Sequence, residues 1–142
     1  MDALVTSRAA YKIFKTVTTR WMDNDSYGHV NNAVYYSYFD TAVNSYLMQA
    51  TGSDTRLLGA IGLVAETSCR FLKPLSFPES VDVGLRLEKL GTSSVIYQVG
   101  LFGGASTDSA AVGRFVHVYV DALTRKVVPV PEVIREAVTA LT

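Results

Sequence analysis

The sequence predicts an α+β fold in which an antiparallel sheet of about five strands wraps around one long central helix, followed by a short C-terminal helix. One long run, residues 31–51, repeats apolar residues at helical spacing. Five other runs alternate apolar and polar residues with the period of a strand. Because the helix needs burial on most sides and the sheet needs a cover for one face, packing one against the other is the economical solution.

The amino-acid composition excludes several classes of protein. The chain has 142 residues, of which 49% are hydrophobic and 18% charged, and this suits one compact domain over residues 1–142. Its 13 basic and 13 acidic residues balance without a run of like charge, so the charge pattern of a nucleic-acid-binding protein is missing. The single cysteine, Cys69, excludes an internal disulfide. With no signal peptide and no apolar run of roughly 18 residues, we expect a soluble cytoplasmic protein away from membranes.

The first strand and the long helix come first in the chain. The strand is predicted over residues 13–21, where β-branched residues alternate with others at period two. The helix is predicted to begin at Asn31 or Asn32, whose side chains are of the type that caps a free amide. It is apolar on nearly all faces, which indicates burial, and Gly52 is the expected stop signal.

Four more strands are predicted after the helix, over residues 63–72, 81–88, 95–102 and 110–120. Pro74 ends the first of these because proline cannot donate a hydrogen bond to a sheet. The odd-numbered residues from 63 to 71 are expected to share one face of that strand. Short turns between evenly spaced strands indicate an antiparallel meander.

The chain is predicted to close with a short helix. Pro131 suits the first turn of a helix. The apolar stripe of this helix is predicted at Val133, Ile134, Ala137, Val138 and Leu141.

The predicted fold also indicates an assembly. An open sheet has edge strands with unpaired backbone groups, and one flank of the long helix stays uncovered. A homodimer is therefore expected, which can pair further into a homotetramer.

Polar residues concentrate in the turn between the first strand and the long helix. The run Asp-Asn-Asp-Ser-Tyr-Gly-His-Val-Asn-Asn-Ala-Val-Tyr over residues 23–35 resembles the active-site signature of the hot-dog thioesterases related to 4-hydroxybenzoyl-CoA thioesterase. Arg-Phe-Leu-Lys-Pro at 70–74, and Val-His-Val-Tyr-Val-Asp at 116–121 with Val-Pro at 130–131, are similar to later parts of that family. The resemblance spans nearly the whole chain and implies the hot-dog fold.

The resemblance implies a hydrolase that cleaves an acyl-coenzyme A thioester without a metal or a bound cofactor. It implies Asp25 as the catalytic carboxylate, either a base toward water or a nucleophile on the thioester carbon. The amide near Asn32 is implied as the donor to the thioester oxygen, with Gly28 permitting the close turn between them. Physical chemistry agrees, because free amides and the positive end of a helix dipole stabilise the negative charge that develops on that oxygen.

Some of these residues also have a structural interpretation. Asp and Asn commonly cap turns, and for Asp23 we favour that role, whereas the extended match favours catalysis for Asp25. His29 either hydrogen-bonds Asp25 or the substrate, or is tied to the backbone of the turn. Both interpretations stay open because family members differ nearby, some with His in place of Asn32 and others with Asn in place of Tyr27.

Residues farther along the chain are weaker candidates. Glu66 and Thr67 lie on a strand expected to cross the helix and to reach the cleft from the partner subunit, although an exposed strand Glu is usually only solvated. His117 is expected to be packed and hydrogen-bonded. Cys69 is expected to serve in sheet packing rather than as a nucleophile.

Binding of coenzyme A requires contacts to its phosphates, which Arg, Lys and hydroxyl groups supply. The candidates, each with an ordinary surface role as the alternative, are Arg70, Lys73, Thr92, Ser93 and Ser94. Tyr35 is a candidate to line the acyl pocket, although most tyrosines of the helix are expected in the core.

Two other functions keep the same fold. An acyl-carrier-protein thioesterase is disfavoured by the balanced charge, because docking of a carrier protein favours a basic patch. A non-catalytic acyl-CoA-binding module is disfavoured by the presence of Asp25.

Overall fold

The computed structural model describes residues 5–142 and confirms the predicted α+β architecture. The strands are β1 (Ile13–Thr18), β2 (Ala60–Phe71), β3 (Ser80–Leu90), β4 (Ser94–Gly103) and β5 (Ala111–Asp121). The helices are α1 (Val34–Thr51) and α2 (Glu132–Thr139), with single 3-10 turns at Arg8–Ala10, Trp21–Asp23 and Thr55–Leu57. No helix among the described residues is long and apolar enough to span a bilayer.

The five strands form one antiparallel sheet in the order β1-β3-β4-β5-β2. The predicted meander is therefore correct for β3 to β5 and wrong for β2, which pairs with β5 at the edge of the sheet. Residues 72–79 form a long connection and not a tight hairpin. Consecutive strands joined in this way need not pair with each other, and β2 does not pair with β3.

Helix α1 packs across one face of the sheet. Its buried side chains are Tyr35, Tyr38, Phe39, Ala42, Val43, Tyr46 and Leu47. They pack on inward residues of the sheet, including Val81, Val83 and Leu85, so the alternation predicted for β3 is confirmed. Helix and sheet approach so closely at Gly113 that an added Cβ would lie 2.5 Å from the Phe39 ring. The remaining flank of α1 is exposed and polar, at Ser37, Asp40, Thr41, Ser45 and Gln49.

The ends of α1 differ in how well the sequence predicted them. Gly52 adopts the left-handed conformation with φ of +66° and ends the helix as predicted. The start lies two to three residues later than predicted. Asn31 accepts hydrogen bonds from Ala33 and Val34, so the chain makes a turn before the helical ladder begins at Val34.

Strand β1 ends at Thr18, three residues before the predicted end. The Thr19 hydroxyl donates to the Glu79 carbonyl at 2.7 Å, and the chain then turns through Trp21–Asp23.

Strand β2 begins at Ala60 and contains a bulge between Val64 and Glu66. The extra residue shifts the alternation, so Leu63 faces away from the side shared by Thr67 and Phe71. The prediction of one common face for the odd-numbered residues is therefore wrong.

Helix α2 begins directly after Pro131, as predicted, and packs on α1. The Tyr46 hydroxyl donates to the Ala137 carbonyl and connects the two helices. Ile134 and Val138 are buried, whereas Val133 is 44% exposed, because it points to the opposite side of the helix. Its predicted place in the apolar stripe is wrong.

Candidate active site

A hairpin loop joins the Trp21–Asp23 turn to α1 and carries the polar residues singled out in the sequence. Three backbone contacts close it: Asp23 O with Asn31 N at 2.8 Å, the bridge between Asn24 and Val30, and Asp25 N with His29 O at 2.7 Å. Residues 26–29 form its exposed tip.

Gly28 makes the tip of this loop possible. Its φ is +84°, a region that favours glycine because a side chain would clash with the backbone. Its amide donates to the Asp25 carbonyl at 3.2 Å. The loop therefore folds back on Asp25 within three residues.

The Asp25 carboxylate is partly exposed and held by backbone amides of the loop. Oδ1 accepts hydrogen bonds from the amides of Tyr27 at 2.8 Å and His29 at 3.4 Å. Within residues 5–142, Oδ2 accepts no hydrogen bond. One oxygen is thus anchored while the other stays available to a substrate or a water molecule.

Asn32 carries a free amide on the opposite arm of the loop. The amide of Asn31 is used by Asp23, and that of Ala33 donates to Asn31 Oδ1 at 2.9 Å. The amide of Asn32 has no acceptor in the described part of the chain. Unpaired amides at the start of a helix are the groups that bind a negatively charged oxygen.

Asp23 lies beneath the loop with only 1% of its surface exposed. Its Oδ2 accepts from the Arg20 amide at 2.9 Å and from the Tyr38 hydroxyl at 2.8 Å, and its Oδ1 from the Arg20 guanidinium at 2.9 Å. Burial alone would raise the pKa of Asp23, but the hydrogen bonds from Arg20 and Tyr38 hold that pKa below its usual value. Asp23 is therefore a buried, fully hydrogen-bonded carboxylate.

The loop is also fixed to the connection between β2 and β3. The Val30 amide donates to the Leu75 carbonyl at 2.7 Å, and the Phe77 amide donates to Asn24 Oδ1 at 3.2 Å. Trp21 packs edge to face on Phe77 with ring centroids 5.9 Å apart.

Tyr35 stands in the first turn of α1, where its ring packs edge to face on Phe71 at 4.9 Å. It is 3% exposed, and burial raises the pKa of its hydroxyl. In this chain the ring belongs to the core beside the loop.

Within this chain, Glu66 and Thr67 are not brought to Asp25. Glu66 is exposed on the face of the sheet that points away from α1, 3.8 Å from the Arg114 guanidinium. The Thr67 hydroxyl donates to the Arg114 carbonyl at 3.1 Å. Both residues lie on β2, at the edge of the sheet.

The phosphate-binding candidates fall into two groups at opposite ends of the sheet. Arg70 and Lys73 lie at the end of β2, on the same side as the Asp25 loop, and Lys73 Nζ donates to Ser106 Oγ at 2.8 Å. Thr92, Ser93 and Ser94 lie at the turn between β3 and β4, where carbonyls of Thr92 and Ser93 accept from Val130 and Tyr119. Arg70 pairs with Val112 of β5 and Ser94 with Val118, so the two groups lie roughly 20 Å or more apart along the strands.

His117 is buried at 2% exposure among the rings of Tyr97, Phe115 and Tyr119. The predicted packing is confirmed. The predicted hydrogen bond is not seen at Nδ1, which has no partner in the described chain, since aromatic rings surround it. Burial lowers the pKa of His117 to about 4, so the ring is neutral at pH 7.

Cys69 is partly buried, and burial raises the pKa of its thiol to about 12. A neutral thiol is a poor nucleophile, which fits the expected packing role. No three His, Cys, Asp or Glu side chains within residues 5–142 form a group that could hold a metal ion.

Sequence reasoning missed Tyr38 and Arg20 as parts of this site. Tyr38 recurs at helical spacing with apolar residues, which predicts a core position, and Arg20 lies inside the strand predicted over residues 13–21. A basic and an acidic residue three positions apart are a local signal for the ion pair between Arg20 and Asp23. Nothing local indicates the contact from Tyr38, fifteen residues away.

Known proteins are similar to this chain in both fold and sequence. Residues 17–138 match the family model of the thioesterase-like superfamily. The PA5185 protein of Pseudomonas aeruginosa is 45% identical over 96% of this chain and 95% of that chain, with a TM-score of 0.92. A Thermus thermophilus thioesterase, solved with coenzyme A and Zn, is 31% identical over 93% of this chain and 95% of that chain, with a TM-score of 0.77.

A more distant structure has the same fold. The DHNA-CoA thioesterase of Staphylococcus aureus is 20% identical over 89% of this chain and 88% of that chain, with a TM-score of 0.79. Comparison with curated proteins gives no match.

The fold and the matched family define the class of protein as a hot-dog thioester hydrolase. The chain belongs to the thioesterase-like superfamily, whose model covers most of its length.

Proposed function

We propose that this protein hydrolyses acyl-coenzyme A thioesters, with Asp25 as the catalytic carboxylate and the Asn32 amide as the donor to the thioester oxygen. The observation that carries the proposal is the pairing of a free carboxylate oxygen and a free amide on the two arms of one loop. Coenzyme A as the carrier is supported by the Thermus thermophilus thioesterase, which was solved with that molecule.

Two chemical routes use the same groups. In the first, Asp25 takes a proton from a water molecule while the water oxygen bonds to the thioester carbon. In the second, Asp25 Oδ2 itself bonds to that carbon, and water then hydrolyses the anhydride that forms. In both routes the carbon–sulfur bond breaks, the sulfur leaves as the thiol of coenzyme A after taking a proton, and the acyl group leaves as an acid.

The Asn32 amide acts on the carbonyl oxygen in both routes. Negative charge develops there as the new bond forms, and a fixed donor stabilises this charge without reorganisation. The start of α1 adds the positive end of its dipole. Gly28 keeps the turn tight, and His29 contributes its backbone amide and carbonyl to the position of Asp25.

Contacts to the rest of the substrate are proposed from the same end of the sheet. Arg70 and Lys73 are exposed there and offer positive charge to the phosphates of coenzyme A. The turn over residues 92–94 lies at the other end, and the proposal does not use it. Tyr35, beside the loop, is proposed to bound the space for the acyl group.

We further propose a homodimer that forms through β2. This strand pairs with β5 on one side, and its other edge is open in the described chain. Four apolar residues on or next to it are 42–48% exposed: Leu63, Val64, Phe71 and Leu72. An open edge with exposed apolar side chains favours pairing with a second copy. We propose that such pairing brings Glu66 and Thr67 of one copy toward the site of the other.

The direct test is release of free thiol from a panel of aliphatic and aromatic acyl-CoAs at neutral pH. The same acyl groups on an acyl-carrier protein form the second arm. Faster turnover of the coenzyme A esters supports the proposal, and faster turnover of the carrier-protein esters assigns the other carrier. Tight binding of acyl-CoA without turnover on either carrier would contradict catalysis and favour a binding module.

A further inference from the structure

Asp23 contacts three segments whose relative positions matter for the proposed mechanism. Its carboxylate accepts hydrogen bonds from Arg20, in the segment that follows β1, and from Tyr38, in the second turn of α1. Its carbonyl accepts the Asn31 amide at the base of the loop. In the described chain, Tyr38 is the contact from α1 to this carboxylate.

These contacts set the position of both proposed catalytic groups. Asn32 follows Asn31 directly, so the Asn31 amide bonded to Asp23 restricts the orientation of the next peptide unit. Asp25 lies two residues after Asp23 on the other arm. A shift of Asp23 relative to α1 therefore moves the carboxylate and the amide donor relative to each other.

We propose that Asp23 and Tyr38 form a positioning pair for the thioester site, in which the buried carboxylate sets the loop and the Tyr38 hydroxyl ties that carboxylate to α1. The proposal rests on the proposed thioesterase function. Neither residue touches the reacting atoms in this assignment, because Asp23 is buried and all its oxygen contacts are internal.

Because the charge of Asp23 is buried, we expect the loss of one donor, the Tyr38 hydroxyl, to disturb the pair. A carboxylate away from water needs its donors, and removal of one leaves an acceptor site unpaired. Arg20 is 65% exposed and approaches from the solvent side, whereas the Tyr38 hydroxyl approaches from the buried side. Without that hydroxyl, Asp23 keeps its charge but loses its connection to the helix.

The test compares Tyr38→Phe with Tyr46→Phe. Both variants remove one buried hydroxyl from α1, but the Tyr46 hydroxyl donates to Ala137 of α2, away from the loop. For Tyr38→Phe we expect kcat to fall by about tenfold or more with KM little changed, because small misplacements of reacting groups are costly. For Tyr46→Phe we expect a lower melting temperature with wild-type kcat.

Hydrogen exchange of the Asn31 amide gives a readout that does not depend on catalysis. We expect it to exchange faster in Tyr38→Phe and at the wild-type rate in Tyr46→Phe. Arg20→Gln serves as the second variant if Tyr38→Phe folds poorly, since Arg20 is exposed, and the same fall in kcat and faster exchange are expected.

The outcomes separate the two proposals. A folded Tyr38→Phe with wild-type kcat and wild-type exchange at Asn31 would overturn the positioning pair and leave the thioesterase assignment intact. A wild-type protein that hydrolyses no thioester, but whose Asn31 exchange responds to Tyr38→Phe, would overturn the function and keep the coupling between the pair and the loop.

Discussion

The Asn31 amide donates a 2.8 Å hydrogen bond to the Asp23 carbonyl, and this bond closes the base of the loop that carries Asp25. The two groups assigned to catalysis lie on the two arms that leave it, Asp25 on one and Asn32 on the other. Their separation is therefore set mainly by backbone geometry.

Replacement of Asp25 tests the chemistry. Asp25→Asn keeps the volume of the side chain and its backbone contacts but removes the charge needed by a base or a nucleophile. We expect kcat to fall by about a hundredfold or more, with the affinity for acyl-CoA retained in a binding titration. Asp40→Asn is the control, because Asp40 is an exposed carboxylate of α1 that bonds Asn44. Normal turnover by Asp25→Asn would remove this residue from the mechanism.

Replacement of Gly28 tests the loop. With φ at +84° and no atom within 4 Å of an added Cβ, the cost of Gly28→Ala comes from the backbone alone. We expect a stability loss of about 1–2 kcal/mol together with a fall in kcat of roughly tenfold as the loop shifts. Thermal melts and steady-state kinetics measure the two effects.

Gly104→Ala is the matched control for Gly28→Ala. Gly104 also has a positive φ, +52°, with open space around it, but it lies in the loop between β4 and β5. A similar stability loss with unchanged kcat is expected. If both variants kept full activity, the conformation of Gly28 would have no part in catalysis.

Introduction of a charge on β2 tests the dimer. Val64 is 48% exposed near the middle of the open edge, and Val64→Lys places a charge on both sides of a symmetric interface. We expect the dimer dissociation constant to rise by about a hundredfold, measured by sedimentation. Leu123→Lys, at a residue 93% exposed in a turn, should leave the mass in solution unchanged. Equal masses for wild type and Val64→Lys at all concentrations would rule out this interface.

The buried histidine predicts how stability depends on pH. His117 has a pKa of about 4 when folded, because burial disfavours its charge, against 6.5 when unfolded. The unfolded chain therefore binds the extra proton first, and stability falls as the pH drops from 6.5 toward 4. The loss amounts to about 2 kcal/mol at pH 5, measured by chemical denaturation.

His117→Gln should remove this part of the pH dependence, whereas His29→Gln, at an exposed histidine, should keep it. Identical slopes of stability against pH in wild type and His117→Gln would show that His117 is not the group responsible.

Features that depend on neighbouring residues were predicted well. The burial of Val81, Val83 and Leu85 follows from alternation within one strand, and the helix end at Gly52 follows from its ability to adopt positive φ. The bulge after Val64 was not predictable, because it exists only in the pairing of β2 with β5. Because of this bulge, Leu63 points to the opposite face of the sheet from the one predicted.

The candidate site shows the same division. The motif over residues 23–35 located the loop, the glycine and both aspartates. It did not reveal that Asn31 rather than Asn32 caps the turn, since two adjacent Asn residues are equivalent at the level of sequence. It also did not separate Arg70 and Lys73 from the turn over 92–94, which the antiparallel sheet sends to opposite ends.

By itself, the sequence determined the identity and order of the helices and strands, the stop at Gly52 and the position of the polar loop, because periodicity and turn chemistry are local properties. Only the tertiary structure decided which strands are neighbours and which aspartate is buried. Asp23 is enclosed by Arg20 and by Tyr38 from α1, while Asp25 keeps one oxygen free. Burial and hydrogen-bond partners come from segments distant in the chain, and packing alone brings those segments together.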